Sequence, residues 1–136
     1  MGKHIKCRKA KFWLEEGILF CEFIPKECKK EFSEDFIEDY LEAIATLSNG
    51  RYFPMLIDVR QLSNAYALSV VKLLSKNSEL KLAILSKSFV VNSFFLQFVL
   101  IVIKGFQDPV IPNKIFTRYE NAINYSLKTN YIFNSQ

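Results

Sequence analysis

The residues best placed to do chemistry lie in "IDVRQLSN", residues 57–64. Asp58 and Arg60 put a carboxylate and a guanidinium two positions apart, at the carboxyl end of an expected central strand, where open α/β sheets carry their functional loops. Ser63 and Asn64 follow at an expected helix start, where outward N–H groups favour an anion or a phosphate. The four residues together could bind an anion or a charged group of a partner. A loop ion pair between Asp58 and Arg60, with ordinary capping by Ser63 or Asn64, uses the same residues, and both readings stand.

Elsewhere the chemistry thins out. Gly2, Gly17, Gly50 and Gly105 are isolated, so there is no phosphate-cradling loop, and no G-x-S-x-G elbow occurs. His4 is the single histidine and lies near the start, so Ser-His and Cys-His mechanisms lack a base in the folded part. Cys7, Cys21 and Cys28 are odd in number and form no C-x-x-C pair, which indicates neither a disulfide framework nor a zinc site. The expectation is no catalytic residue, no metal, no cofactor and no enzymatic activity.

The elements that would position these residues are readable from their periodicity. "KFWLEEGILFCEFIP" predicts a hairpin whose turn uses Gly17, with strands near 11–14 and 18–24. "FSEDFIEDYLEAIATLSNG" predicts a helix with Ser33 as N-cap, Phe36, Ile37, Tyr40, Leu41, Ile44 and Leu47 inside, and an Asn49-Gly50 stop. Its other face, Glu34, Asp35, Glu38, Asp39 and Glu42, is acidic and reads as solvated. "FPMLIDV" suits a two-sided strand over 54–59, and "LKLAILS" a second over 80–86. A helix over about 65–78 joins them, with Ala67, Leu68, Val71 and Leu74 inside. A short strand is expected at 114–117. It precedes a last helix opened by a Thr117/Glu120 capping box, with Ala122, Ile123 and Leu127 inward. The order implies one α/β domain: a mostly parallel mixed sheet of about five strands, an antiparallel hairpin at its front, and four helices.

"SKSFVVNSFFLQFVLIVIKGF", residues 86–106, is the most apolar stretch. A membrane span needs about 20 apolar residues. Phe89 to Ile103 is fifteen, and Asn92, Ser93 and Gln97 interrupt it, so no transmembrane segment is expected. A helix over 88–104 is apolar nearly all round and needs cover on more than one side. One sheet face cannot take all its large side chains. The surplus marks an interface or a ligand groove, with Asn92, Phe94, Phe95, Phe98 and Ile101 as its residues. Homodimerisation through 88–104 is the first reading, with Phe94, Phe98 or Ile101 near the axis, and a site for an apolar, lipid-like molecule the second.

The net charge of +4 is unevenly placed. Lys3, Lys6, Arg8, Lys9 and Lys11 precede any acidic residue, so the remainder of the chain is close to neutral. Residues 1–10 read as a basic flexible leader, 11–128 as the single domain, and 129–136 as a loose tail. No aromatic or Gly-rich nucleic-acid motif accompanies the basic residues, and nucleic-acid binding is not expected. With its cysteines unpaired and no secretory signal, the chain reads as cytoplasmic.

As a set, "WLEEGILFCEF", "PMLIDVRQLS", "LKLAILSKSFVVNSFF" and "PNKIFTRYENAINYSL" resemble the STAS-like (SpoIIAA-like) domains, most closely a group of small bacterial members. The matching positions are Leu56-Ile57-Asp58-Val59-Arg60, Ala83-Ile84-Leu85 with Ser86 and Ser88, Asn92 with Phe94-Phe95, and Pro112 with Phe116, Glu120 and Ala122. Tyr125-Ser126-Leu127 stands where Trp-Leu is usual. The resemblance implies a non-catalytic regulatory module that contacts other proteins. In one branch a phosphorylatable Ser in an Asp-Ser-Ser-Gly-like turn switches partners. Here Leu62-Ser63-Asn64-Ala65-Tyr66 occupies that turn, which makes Ser63 the candidate phosphosite. A related lipid-carrying branch supports the apolar-ligand alternative.

Overall fold

The protein is described as a computed structural model covering residues 3–29, 32–102 and 113–134. Six strands form one sheet in the order β1 to β6: β1 His4–Cys7, β2 Ala10–Glu15, β3 Ile18–Phe23, β4 Met55–Asp58, β5 Lys87–Val90 and β6 Asn113–Phe116. The first three are antiparallel, and β3 to β6 are parallel. Glu16 and Gly17 both take positive φ, 53° and 77°, which is what a two-residue hairpin turn between Glu15 and Ile18 demands. A Cβ at Gly17 would also meet the amide end of the Asn130 side chain.

The helices follow in chain order: α1 Ile37–Ser48, α2 Asn64–Lys76, α3 Ser78–Lys81, α4 Phe94–Val102 and α5 Tyr119–Asn134. Ser33 caps the 3₁₀ turn leading into α1 by accepting from the Asp35 N–H, and Asn49 ends α1 in the left-handed region at φ 49°. The crossover helices pack on one sheet face. There Phe12, Leu19, Ile57, Phe89, Tyr40, Val71, Leu74 and Leu96 belong to the larger core. On the other face α5 covers a smaller core of Ile18, Phe20, Leu56, Val90 and Ala122. Consecutive parallel strands with crossovers of one hand place their helices on one face, and the last helix is left to cover the other.

Several expectations are corrected. The second central strand is Lys87–Val90, not 80–86. "LKLAILS" instead finishes α3 and a loop, in which Leu80 and Ile84 are buried. Its partner is β4 as expected, with Met55 opposite Lys87. A strand opening on lysine looks unlike a core strand. Here the Lys87 ammonium, wholly buried, donates to the Leu74 and Ser75 carbonyls at 3.1 Å each and so caps the last turn of α2. The apolar helix begins at Phe94 rather than 88, because Lys87–Val90 is strand, and residues 103 and 104 fall outside the described residues. The basic segment 1–10 is not a loose leader over its described part: His4–Cys7 is the edge strand. Within it Lys6 pairs with Glu27 and Arg8 with Asp39, and Lys9 reaches the Glu27 carbonyl. The segment from 129 is not a loose tail either, since α5 continues to Asn134, whose amide donates to the Tyr52 carbonyl. Leu127, expected inward, is exposed. Among the described residues there are therefore six strands and five α-helices.

Candidate functional site

β4, β5 and β6 run parallel, so their carboxyl ends and the starts of α2, α4 and α5 gather at one pole. Asp58 ends β4 on the face covered by α5, because its neighbours Ile57 and Val59 point into the other core. Its carboxylate accepts two bonds from Arg60, from Nε at 2.9 Å and Nη2 at 2.8 Å, and a third from the Arg60 backbone N–H at 3.1 Å. This is the forked geometry in which a guanidinium matches a carboxylate. The Arg60 guanidinium also lies over the Tyr119 ring, 4.6 Å from its centre. The Arg60 carbonyl accepts from the Asn92 amide at 2.9 Å.

These bonds tie the β4–α2 loop, the β5–α4 loop and α5 into one corner. The Asp58 hydrogen bonds raise the pKa of Arg60, and burial raises that of the Tyr119 hydroxyl. The bonds to Asp58 use two of the five guanidinium N–H groups, and the Arg60 side chain stays 40% exposed. Asp58 and Arg60 are thus brought together as the spacing suggested, in the ion-pair form. Tyr119 carries no local signal of its part. It meets Arg60 only because α5 crosses the sheet.

Ser63 stands apart from that corner's bonds. Its hydroxyl oxygen accepts from the Tyr66 N–H at 3.2 Å and caps α2, while the residue stays exposed. Asn64, the first residue of α2, is exposed as well. Ser93 repeats the device at α4, accepting from the Leu96 N–H at 3.0 Å, and Gln97 donates to the Ile115 carbonyl of the edge strand β6.

α4 has two unlike faces. Leu96 points into the larger core, whereas Phe94 and Phe98, one turn apart, are 77% and 65% exposed. The expected surplus of apolar side chains is therefore real at these two positions. Asn92, expected on the same surface, is exposed but engaged with Arg60. The side chains of Phe95 and Ile101 lie outside what the structure describes.

The cysteines are all unpaired. Burial pushes the Cys21 thiol well up, and burial assisted by Asp39 and Glu42 raises Cys7. Burial likewise raises Cys28. Thiols shifted in this direction are poor nucleophiles at neutral pH. Among the described residues no group of three or more metal-ligating side chains is clustered, and no helix is long and apolar enough to cross a membrane.

No curated protein matches the chain. In three dimensions it is similar to the crystal structure of an uncharacterised protein from the DUF3478 family with a SpoIIAA-like fold, from Shewanella loihica PV-4. The identity is 14%, the match covers 93% of this chain and 92% of that one, and the TM-score is 0.47. The strand order and helix placement above define the mixed α/β architecture by themselves. By its match over residues 12–130, the chain belongs to the family described as domain of unknown function DUF7793.

Proposed function

We propose that this chain is a non-enzymatic protein-interaction module of regulatory type, whose contact surface is the outward face of α4 beside the entry turn of α2. The observation that carries this reading is the pair Phe94 and Phe98, exposed on successive turns of one helix. Single exposed apolar residues are ordinary, but two adjacent aromatic rings on one helix form a patch of the kind that marks an interface. Aromatic residues are enriched at such contacts. The first partner is a second copy, because a two-fold contact would set the same rings of each subunit against each other. A separate regulatory protein is the second.

Two features support the non-catalytic part. The thiols are shifted away from reactivity, and the carboxylate at the favoured pole is already taken by Arg60. Ser63 supports the regulatory part. A phosphate there would add roughly −1.5 to −2 of charge at the N-terminus of α2, which favours it. Free thiols fit a reducing, cytoplasmic setting.

The alternative is a binder of an apolar small molecule through α4. Native mass spectrometry of the purified protein separates the two. A dimer without adduct supports the module. A monomer carrying a lipid-sized adduct replaces it with the carrier.

A further inference from the structure

We propose that the outer edge of β1 is a second docking site, independent of α4. It takes an extended segment of a partner protein, added antiparallel, that carries an acidic, a basic and an aromatic residue in consecutive positions. Cys7 and Ala10 close the two-residue turn between β1 and β2 and are therefore a hydrogen-bonded pair. The ladder alternates, so Ile5 bonds Phe12, and the N–H and C=O groups of His4 and Lys6 point away from the sheet. The opposite edge differs, because there Gln97 occupies the Ile115 carbonyl of β6.

Two rows of side chains that cross the sheet end at this edge, and each specifies a neighbour. One row is aromatic. His4 stacks on Trp13 and Trp13 on Phe20, at 5.1 Å each, and Phe20 meets Tyr119 at 6.5 Å. His4 is the last ring, and a strand added about 4.8 Å outside β1 would set its own side chain beside that ring. An aromatic one continues the stack. The second row is charged. Lys6 lies opposite Lys11, and Lys11 opposite Glu22, with which it pairs at 3.4 Å. Lys6 thus faces a like charge and reaches away to Glu27 at 3.1 Å, an exposed pair of small worth. An acidic residue opposite Lys6 relieves this.

Positions opposite His4 and Lys6 are two apart and share a face, so the residue between them points to the α1 side. A groove of about 540 Å³ lies there between β1 and α1, with Asp39, Glu42, Ala43 and Thr46 on its α1 wall. Asp39 is paired with Arg8, which also lines the groove, so Glu42 is the carboxylate that a basic side chain would meet. A second copy is the poorer occupant: antiparallel self-pairing sets Lys6 against His4 or against another Lys6 and gives it no carboxylate.

The probe is a labelled peptide, Thr-Val-Glu-Lys-Tyr-Val-Thr, titrated into isotope-labelled protein and followed through backbone amide resonances. Saturable shifts centred on His4 and Lys6 are expected. Affinity should fall about tenfold for the peptide with Lys-Glu-Tyr at its centre. Lys6→Glu should lose a similar factor and regain it with a Lys-Lys-Tyr peptide. Lys6→Pro, which removes an outward N–H that the sheet does not use, should abolish binding while circular dichroism stays unchanged. The proposal is overturned by shifts that ignore peptide charge and Lys6→Glu, or by no binding of any of these peptides at millimolar concentration. A dimer that dissociates on Lys6→Glu would assign the edge to a second copy and overturn it equally.

Discussion

Two βα turns stand side by side at the carboxyl pole of the sheet and are built on opposite terms. The β4–α2 turn is rich in polar groups, and several of them are used internally. Asp58 holds Arg60 in a fork, Arg60 lies on Tyr119, its carbonyl takes Asn92, and Ser63 caps α2. The β5–α4 turn spends Ser93 and Gln97 on backbone groups and then presents two bare aromatic rings to solvent. The polar groups of the charged turn bond to one another and to neighbouring elements. The apolar helix buries Leu96 and exposes Phe94 and Phe98.

Substitutions can break or sharpen this contrast. The largest expected effect lies on the inner face of α4. Leu96→Ala should cost about 2–5 kcal/mol, since Leu96 is buried in the larger core, and chemical denaturation reads this as a lower midpoint with unchanged slope. Next comes the fork. Asp58→Asn keeps the shape but leaves a half-buried guanidinium without its countercharge, and should cost about 1–3 kcal/mol. If Asp58→Asn proved neutral, the β4–α2 turn would not be the structural corner described. Ser63→Ala removes the α2 cap and should cost about 1 kcal/mol, with Ser63→Asp recovering most of it because aspartate also caps. A loss on Ser63→Asp as large as that on Ser63→Ala would remove the argument for a phosphate there.

How much of this was legible follows from where each signal resides. The hairpin, α1, β4, α2 and α5 follow local rules, namely turn glycine, helical spacing, caps and an apolar run, and the sequence carries those rules openly. β1 was hidden because His4, Lys6 and Arg8 read as solvated charge. Only the acidic flank of α1 and Glu22 and Glu27, distant in sequence, make those charges part of a sheet. β5 was displaced because Lys87 reads as a surface residue. It is buried only because the end of α2 supplies two carbonyls. Meanwhile Leu80 and Ile84 satisfy their hydrophobicity from a short helix and a loop. At the pole, Asp58–Arg60 is local and readable, and Tyr119 is not, since it arrives from a helix that starts sixty residues later. The excess of apolar side chains on α4 was readable as a count, and the structure resolves it into Leu96 inside and Phe94 and Phe98 outside.

The smallest expected change in stability accompanies the most informative measurement. Phe98→Glu alters an exposed ring and should leave the unfolding midpoint within about 0.5 kcal/mol of the unmodified protein. Sedimentation velocity of both proteins across the micromolar range then tests whether the α4 face is a contact surface. The unmodified protein should sediment as a concentration-dependent dimer, and Phe98→Glu as a folded monomer. Two outcomes contradict the proposal: a monomer for the unmodified protein at every concentration, or a dimer that Phe98→Glu leaves intact.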